Sequence, residues 1–444
     1  MSGIDYIYSY DGRSSLAGSG QAKFLRLASD KGQPESAQTY LKAKAVQPDL
    51  TAKALRAISE IVGSRFYVPP AMLARILREA DPVATVGREC VRFEGFSACC
   101  SVYARLDLEQ ESLEVEKRRT GTANVDFGPE LRALLAQVKP SSELTIGIGS
   151  SFVDIAHEKG CVTERKVPLP LRWLKGFAEV QGHLAGMEKV FSLPSVPAQR
   201  FLRTLPRSKA DHLLWVSAAG NRVRTMTRKS ADSVPLRGAH RLRVLETLAS
   251  KARYLNAYGN PSLGSSAWEL DFGSQRFTLV LNAEPWRGFS GDGRLLSDLV
   301  HPNSCVPIIR AHLNWQDSLD LAFMGHEPGV SGADIRQAIS HLAAIGQVGF
   351  DLSRNAWFHR QLPFGLERLQ ALNPRLKSAR ALFDGKAVTL SQTGADVVSE
   401  NVTHRVRLSQ GGYSCTCPWY AKHQTTRGPC KHVLAVEMEL ERLH

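Results

Sequence analysis

Residues 413–434 read YSCTCPWYAKHQTTRGPCKHVL and contain the most informative pattern of the 444-residue chain. Cys415 and Cys417 are one residue apart, twelve residues follow, and Cys430 and His432 are again one residue apart. Three thiolates and one imidazole make a closed tetrahedral ligand set, which is typical of a structural zinc site. The sequence therefore predicts one structural Zn²⁺ at these four side chains, with His423 in the gap as a competing ligand.

The local pattern around these residues fits chelation. Residues 404–408 alternate as a strand, residues 410–412 predict a turn, and residues 413–417 predict the return strand. Side chains two positions apart on a strand point the same way, so Cys415 and Cys417 can bind one ion. Pro429 precedes the second ligand pair, and apolar residues from Val433 to Leu440 predict an amphipathic helix. We expect a ββα-like finger.

This pattern resembles the SWIM zinc finger, whose signature is Cys-x-Cys, a variable gap and Cys-x-His. The resemblance favours His432 over His423 as the fourth ligand. Residues 346–364 and 373–376 also resemble bacterial SWIM-containing proteins. Such proteins are often encoded beside a MoxR-type AAA+ ATPase and a von Willebrand factor A-domain protein, which implies these two partners. SWIM fingers are regarded as DNA-binding or protein-binding modules.

Five further residues of the finger are candidates for contact with nucleic acid or a protein partner. Two are aromatic and three are basic: Trp419, Tyr420, Lys422, Arg427 and Lys431. The aromatic rings could stack on a base, fill a pocket of a partner, or close a small core over the zinc.

Composition limits the class of protein. Hydrophobic residues make up 43% and charged residues 22% of the chain, as in a globular protein rather than a disordered one. No stretch reaches the 18 apolar residues of a membrane span, and the first residues lack the pattern of a secretory signal. We expect a cytoplasmic protein without a membrane partner.

The surplus of positive charge is concentrated in residues 161–260. This basic region has 18 Lys and Arg against 6 Asp and Glu, whereas the rest of the chain has 38 against 37. Such a local excess attracts polyanions, of which DNA and RNA are the first candidates. The alternative is a solvated basic face that keeps the protein in solution.

Periodicity predicts an α+β fold with antiparallel hairpins. Helices are expected from Pro48 to Val62, at residues 72–77, at 173–183 and in the basic segment 237–258. Hairpins are expected at 144–155, at 213–226 and at 268–281. Cys99 and Cys100 are interpreted as strand residues, and the glycine-rich stretch 286–293 as either an irregular turn or a binding loop.

Residues 301–365 have the layout of a winged helix. A helix over 315–324, a turn at 325–330, a second helix capped by Ser331, and a hairpin over 348–362 follow one another. The second helix is poor in basic residues, so it could read DNA or serve for docking and packing.

Together these patterns predict four segments. They are an N-terminal arm with helices (1–90), an α+β body with the basic region (91–300), a winged-helix-like element (301–365) and a SWIM zinc-finger region (366–444). No nucleotide-binding or catalytic motif was found; after Gly147 and Gly149, for example, Phe152 occupies the position of the third glycine of a dinucleotide loop. The sequence therefore predicts a non-catalytic, zinc-binding interaction protein. The alternatives are a nucleic-acid-binding protein and, less favoured, an enzyme with an unrecognised site.

Overall fold

A computed structural model shows helices and antiparallel sheets, as the periodicity predicts. The structure describes residues 15–17, 24–26, 38–64, 82–124, 127–150, 152–165, 169, 171–209, 211–260, 262–300, 303–321, 331–362, 373–409, 412–424 and 426–443. The chain divides into two compact units. Unit 1 contains residues Met1–Leu169 and Met187–Trp286, and unit 2 contains Pro170–Gly186 and Arg287–His444. The four-segment division stays a prediction.

The described helices and strands are numbered in chain order. The α-helices are α1 (Pro48–Gly63), α2 (Pro129–Leu135), α3 (Leu171–Ala185), α4 (Ser195–Thr204), α5 (Glu246–Ala249), α6 (Cys305–Ala311), α7 (Gly332–Ala344), α8 (Pro374–Asp384), α9 (Pro418–His423) and α10 (Lys431–Leu443). The strands are β1 (Ser15–Ala17), β2 (Phe24–Arg26), β3 (Thr39–Ala45), β4 (Val83–Val86), β5 (Val91–Phe96), β6 (Val102–Leu108), β7 (Leu113–Arg118), β8 (Gly121–Asn124), β9 (Leu144–Gly149), β10 (Phe152–His157), β11 (Gly160–Arg165), β12 (Glu188–Pro194), β13 (Leu213–Ala219), β14 (Arg222–Met226), β15 (Val234–Arg237), β16 (Tyr254–Gly259), β17 (Ser266–Asp271), β18 (Gln275–Leu281), β19 (Val348–Asp351), β20 (Ala356–His359), β21 (Val388–Ser391), β22 (Gly394–Ser399), β23 (Val402–Ser409) and β24 (Gly412–Cys415). None of the described helices is long and apolar enough to cross a membrane.

Unit 1 is built on two large antiparallel sheets. One has the strand order β11-β10-β9-β3-β7, and the other has the order β12-β16-β17-β18-β6-β5-β4-β8. Helix α1 packs on β5 and β6, and its apolar stripe is buried because Leu50, Leu55 and Ile58 each expose 1% or less. The pairs β9–β10, β13–β14 and β17–β18 confirm the three hairpins that the sequence predicts.

One face of the eight-stranded sheet carries charged side chains that are nevertheless buried. Arg92 lies opposite Asp107, and Glu94 lies opposite Arg105, in the register of β5 with β6. The Nε atoms of Arg92 and Arg105 lie 3.1 Å and 2.8 Å from the Asp107 carboxylate, and Tyr103 donates to Glu94 at 2.6 Å. Buried charges persist where each has partners, so this face is an internal ionic network.

The predicted basic helix over 237–258 is wrong at both ends, and only residues 239–249 are helical. A 3-10 segment covers Ala239–Leu245, α5 covers only four residues, and residues 254–259 form strand β16. The reason is tertiary, because β16 lies between β12 and β17 and buries Leu255 and Ala257. Sheet pairing on both edges outweighs the weak helical periodicity of this segment.

The assignment of Cys99 and Cys100 to a strand is also wrong. Strand β5 ends at Phe96, and both cysteines lie in the connection to β6, where Cys100 has a φ of +55°. The Cys99 Sγ lies 3.0 Å from the Ser101 hydroxyl, and both thiols are buried. The two strands that follow, β6 and β7, belong to different sheets.

In unit 2, Ser331 caps α7 as predicted. Its hydroxyl accepts from the Asp334 amide, and the Asp334 carboxylate accepts from the Ser331 amide. Strands β19 and β20 then form the expected hairpin. The described part of the expected helix 315–324 is not helical up to residue 320. Its backbone bonds to β20 instead: the Leu319 amide donates to the Trp357 carbonyl at 2.7 Å, and the His359 amide donates to the Gln316 carbonyl at 3.0 Å.

Two described helices of unit 2, α6 and α3, pack on α7. The expected helix at 72–77 and the turn at 325–330 lie outside the described residues. Within the glycine-rich stretch 286–293, residues Phe289–Gly291 form a 3-10 turn. The Phe289 ring is fully buried and contacts His183, and this contact anchors the turn in the core.

Candidate metal centre

The four predicted zinc ligands come from three elements of unit 2. Cys415 ends strand β24, Cys417 is the N-cap of α9, and Cys430 and His432 lie at the start of α10. Strands β21 to β24 form one four-stranded sheet, so the predicted hairpin has two further strands beside it. Tertiary packing of this sheet on α10 brings together ligand pairs that are twelve residues apart in sequence.

The geometry of the four donors fits one tetrahedral ion. Their ligand atoms all lie within 4.8 Å of one another, and all four residues are buried. The Nδ1 atom of His432 is 3.8 Å from the Cys415 sulfur and 4.0 Å from the Cys430 sulfur. Tetrahedral zinc bonds of about 2.0 and 2.3 Å place such a nitrogen and sulfur about 3.5 Å apart. His423 lies outside the cluster, which supports His432 as the fourth ligand.

Backbone amides prepare the three sulfurs to be thiolates. The amide of Cys417 bonds to Cys415, the amide of Tyr420 to Cys417, and the amide of Val433 to Cys430. Each of these bonds lowers the pKa of the sulfur that accepts it, since an N–H donor favours the charged form. Amide bonds to a ligand are the outer support that metal sites use to hold their ligands.

The thiols also act on one another. Hydrogen bonding from Cys415, followed by that from His432, lowers the pKa of Cys430 to about 4, although burial opposes this shift. The same sulfur contact and burial raise the pKa of Cys415, and burial raises the pKa of Cys417. Zinc binding would therefore release the protons of Cys415 and Cys417, whose pKa values are raised.

A small apolar core supports the cluster. Ala395, Val397 and Val406 on the sheet pack with Val433 and Val436 on α10 and with the cysteines themselves. The ring of His404 contacts that of His432 in a tilted arrangement, with 4.2 Å between centroids. The donor set, the burial and the amide bonds together identify one structural zinc site.

The five candidate contact residues have different surroundings. Trp419 and Tyr420 pack against the core of the finger. Arg427 lies 4.7 Å over the Trp419 ring, Lys431 pairs with Glu400 at 3.0 Å, and Lys422 is exposed without an ion pair to any residue that the structure describes. Closing the core over the zinc is thus one role that the aromatic rings fill.

Sequence reasoning did not identify Arg375 on α8. Its guanidinium lies 4.9 Å from the Trp419 ring centroid and donates to the carbonyls of Arg427, Pro429 and Asp292. Burial lowers the pKa of Arg375 to about 10, which still leaves it charged at neutral pH. The only sequence signal was its place in the stretch 373–376.

A cavity of about 230 Å³ lies beside the finger, within unit 2. Trp419 and Arg427 from the inter-ligand loop line it together with Lys175, Glu179 and Arg375, and apolar side chains complete the wall: Ala178, Leu296, Leu299 and Pro374. Because two lining residues lie between the zinc ligands in sequence, we expect the shape of the cavity to depend on the metal.

Comparison with known proteins finds a matching family for the finger and assigns neither a family nor a fold to the other residues. Residues 404–441 match the SWIM zinc finger family. No curated protein matches the chain. Similar solved structures include the proliferating cellular nuclear antigen of Entamoeba histolytica, at 9% identity and a TM-score of 0.37, covering 55% of this chain and 99% of that chain.

A second similar structure is the PCNA2–PCNA3 complex of Sulfolobus tokodaii, at 7% identity and a TM-score of 0.39, covering 55% of this chain and 100% of that chain. Both TM-scores are too low to assign a fold. What the comparisons establish is that residues 404–441, which contain the Cys/His cluster, match the SWIM zinc finger family.

Proposed function

We propose that this protein is a non-catalytic, zinc-binding interaction protein whose SWIM finger mediates macromolecular binding. The observation that carries the proposal is the closed ligand set of three cysteines and one histidine. Catalytic zinc keeps an open position for water or substrate, whereas four protein ligands fill the coordination sphere. The role of the metal is then structural: it stabilises the conformation of the finger surface that binds the partner.

The cavity beside the finger supports a protein as the partner. Three basic side chains, Lys175, Arg375 and Arg427, face one acidic side chain, Glu179, and two leucines line the same space. A partner segment that combines an acidic and an apolar side chain complements this lining. A MoxR-type ATPase and a von Willebrand factor A-domain protein are the partners that the family resemblance implies. The cytoplasmic location stays a prediction.

The test is a pull-down from native lysate, with and without nuclease, using the wild type, Cys417→Ser and Trp419→Ala. A MoxR-type ATPase from the same genome serves as a purified probe. We expect protein partners that resist nuclease and that both variants lose. If nuclease removes all partners, docking of a protein is rejected and the second candidate below is favoured.

The second candidate is nucleic-acid binding through the basic region 161–260 and the finger. The observation that favours it is the exposure of Arg222, Arg224, Arg228 and Lys229 in that region, none with an ion pair among the residues that the structure describes. Phosphate contacts release counterions, so binding should weaken with a log–log salt slope of about one unit per contact. The winged-helix-like element 301–365 stays a further candidate for either role.

A further inference from the structure

We propose that the hairpin of β13 and β14 binds the phosphodiester backbone of nucleic acid. Arg222 and Arg224 lie on β14, and Arg228 and Lys229 follow in the connection to β15; these four cations are called the basic ribbon below. This inference deepens the second candidate function, because it assigns the binding to one hairpin of unit 1 within the basic region.

The hairpin extends beyond its sheet as a two-stranded ribbon. Strand β15 pairs with β13 only up to Val216, whereas β14 continues to pair with β13 as far as Ala219. Gly220 occupies the first position of the two-residue turn with a φ of +56°, a conformation that glycine adopts at little cost. A two-stranded ribbon of this kind can follow a nucleic-acid groove.

The register presents two arginines on one face. Arg222 lies opposite Ala219, and Arg224 lies opposite Ser217. Cross-strand partners share a face, and the small partners leave both guanidinium groups uncovered. The two arginines are two residues apart on a strand, about 7 Å along the chain, so they form a row rather than a point charge.

The charge of the ribbon is not neutralised within the described chain. Residues 212–231 contain four Lys and Arg and no Asp or Glu. All four cations are exposed, and Lys229 lies 5.6 Å over the ring of Trp215 at the base of the hairpin. Lys42 and Lys44 of unit 1 differ, since Lys42 lies 2.7 Å from Glu116 and Lys44 lies 3.1 Å from Glu143.

A row of unpaired cations suits a polyanion better than a single acidic group. Three of the four cations are arginines, whose planar guanidinium binds a phosphate through two parallel hydrogen bonds. Contacts to successive phosphates release counterions and add to affinity without reading sequence. The chemistry recognised is therefore the phosphodiester backbone, in a duplex or in a single strand.

The test is fluorescence anisotropy of full-length, zinc-loaded protein with a labelled DNA duplex of about 20 base pairs, its single strand, and an RNA strand of the same sequence, from about 50 to 200 mM salt. The ribbon variant replaces each of its four cations with glutamine. The matched control removes the same charge from basic residues that lie outside the basic region and within 4 Å of a carboxylate: Lys42→Gln, Lys44→Gln, Lys53→Gln and Arg56→Gln.

We expect the ribbon variant to lose at least about tenfold in affinity and its log–log salt slope to fall by about 3 units, while the control stays near the wild type. The relative affinities for duplex and single strands identify which backbone is the ligand. Equal losses in both variants, no binding by the wild type, or tighter binding to phosphatidylserine vesicles than to every strand would overturn the proposal. Zinc content reports separately on the finger, and it should be unchanged in both variants.

Discussion

The side chain of Cys417 has two roles at once. Its sulfur belongs to the metal cluster, and it accepts the amide of Tyr420 at 3.4 Å as the N-cap of α9. The cap bond therefore fixes the position of the Cys417 sulfur, and metal binding to that sulfur would in turn stabilise the first turn of α9. We therefore expect the order of the loop that carries Trp419 and Arg427 to depend on Cys417.

Cys417→Ser should abolish stoichiometric zinc binding, because a hydroxyl does not replace a thiolate in this ligand set. Elemental analysis of the purified variant measures the loss. Cys161→Ser is the control, since Cys161 is in unit 1 and outside the cluster, and it should keep its zinc. A full complement of zinc in the Cys417 variant would show that the assignment of ligands is wrong.

Asp154 predicts a pH dependence in unit 1. Burial raises the pKa of its carboxyl to about 6, and the hydrogen bond from Thr163 opposes this rise. Between pH 3.8 and 6 the folded state holds a proton that the unfolded state has lost, so this group lowers stability as pH rises through that window. Asp154→Asn should raise the melting temperature of unit 1 at neutral pH and have little effect near pH 4.

Thr163→Val is the companion variant for this measurement. It removes the hydrogen bond that favours the charged carboxylate, so the loss of stability with rising pH should become larger than in the wild type. Thermal melts at several pH values distinguish the cases. Parallel curves for the wild type and Asp154→Asn would contradict the raised pKa.

At the scale of elements, packing against neighbouring strands determined secondary structure and burial that the periodicity of the sequence did not predict. The sequence of strand β16 lies in a segment predicted to be helical, yet the strand pairs with β12 and β17. The charged alternation of β5 and β6 is typical of a solvent-facing surface, but Arg92, Arg105 and Asp107 are all buried. Alternation identifies the two faces of a strand, and it does not say which face the rest of the molecule covers.

Asp107→Asn tests the buried network of the eight-stranded sheet. The change leaves Arg92 and Arg105 without their shared carboxylate, and removing one partner of a buried pair costs about 3–5 kcal/mol. Chemical denaturation followed by tryptophan fluorescence measures the free energy of unfolding. Glu143→Gln removes an exposed partner of Lys44 and should cost less than about 1 kcal/mol. Similar losses for the two variants would contradict the internal network.

At the scale of the whole molecule, the two units hold their structure by different means. Unit 1 contains the two large sheets and their core, whereas the finger of unit 2 surrounds its metal site with a small core. Zinc binding contributes about 10–16 kcal/mol in isolated zinc-finger peptides, which exceeds what such a small core can supply.

Chelation of zinc should therefore unfold the finger while unit 1 keeps its melting transition. Calorimetry of the full chain with and without chelator follows both units, and limited proteolysis within residues 404–441 reports on the finger. Adding zinc back should restore protection. A finger that stays resistant after complete removal of the metal would refute the structural role of the ion.

The sequence by itself determined the zinc ligands, because chelation requires particular side chains at a short spacing and both features are local. It also determined the hairpins, whose turns and alternation are local, and the cap of α7 at Ser331. Only the tertiary structure decided which faces are buried, where Arg375 meets Trp419, and that β16 is a strand. Those outcomes depend on contacts between residues far apart in the chain, whose free energy no single segment encodes.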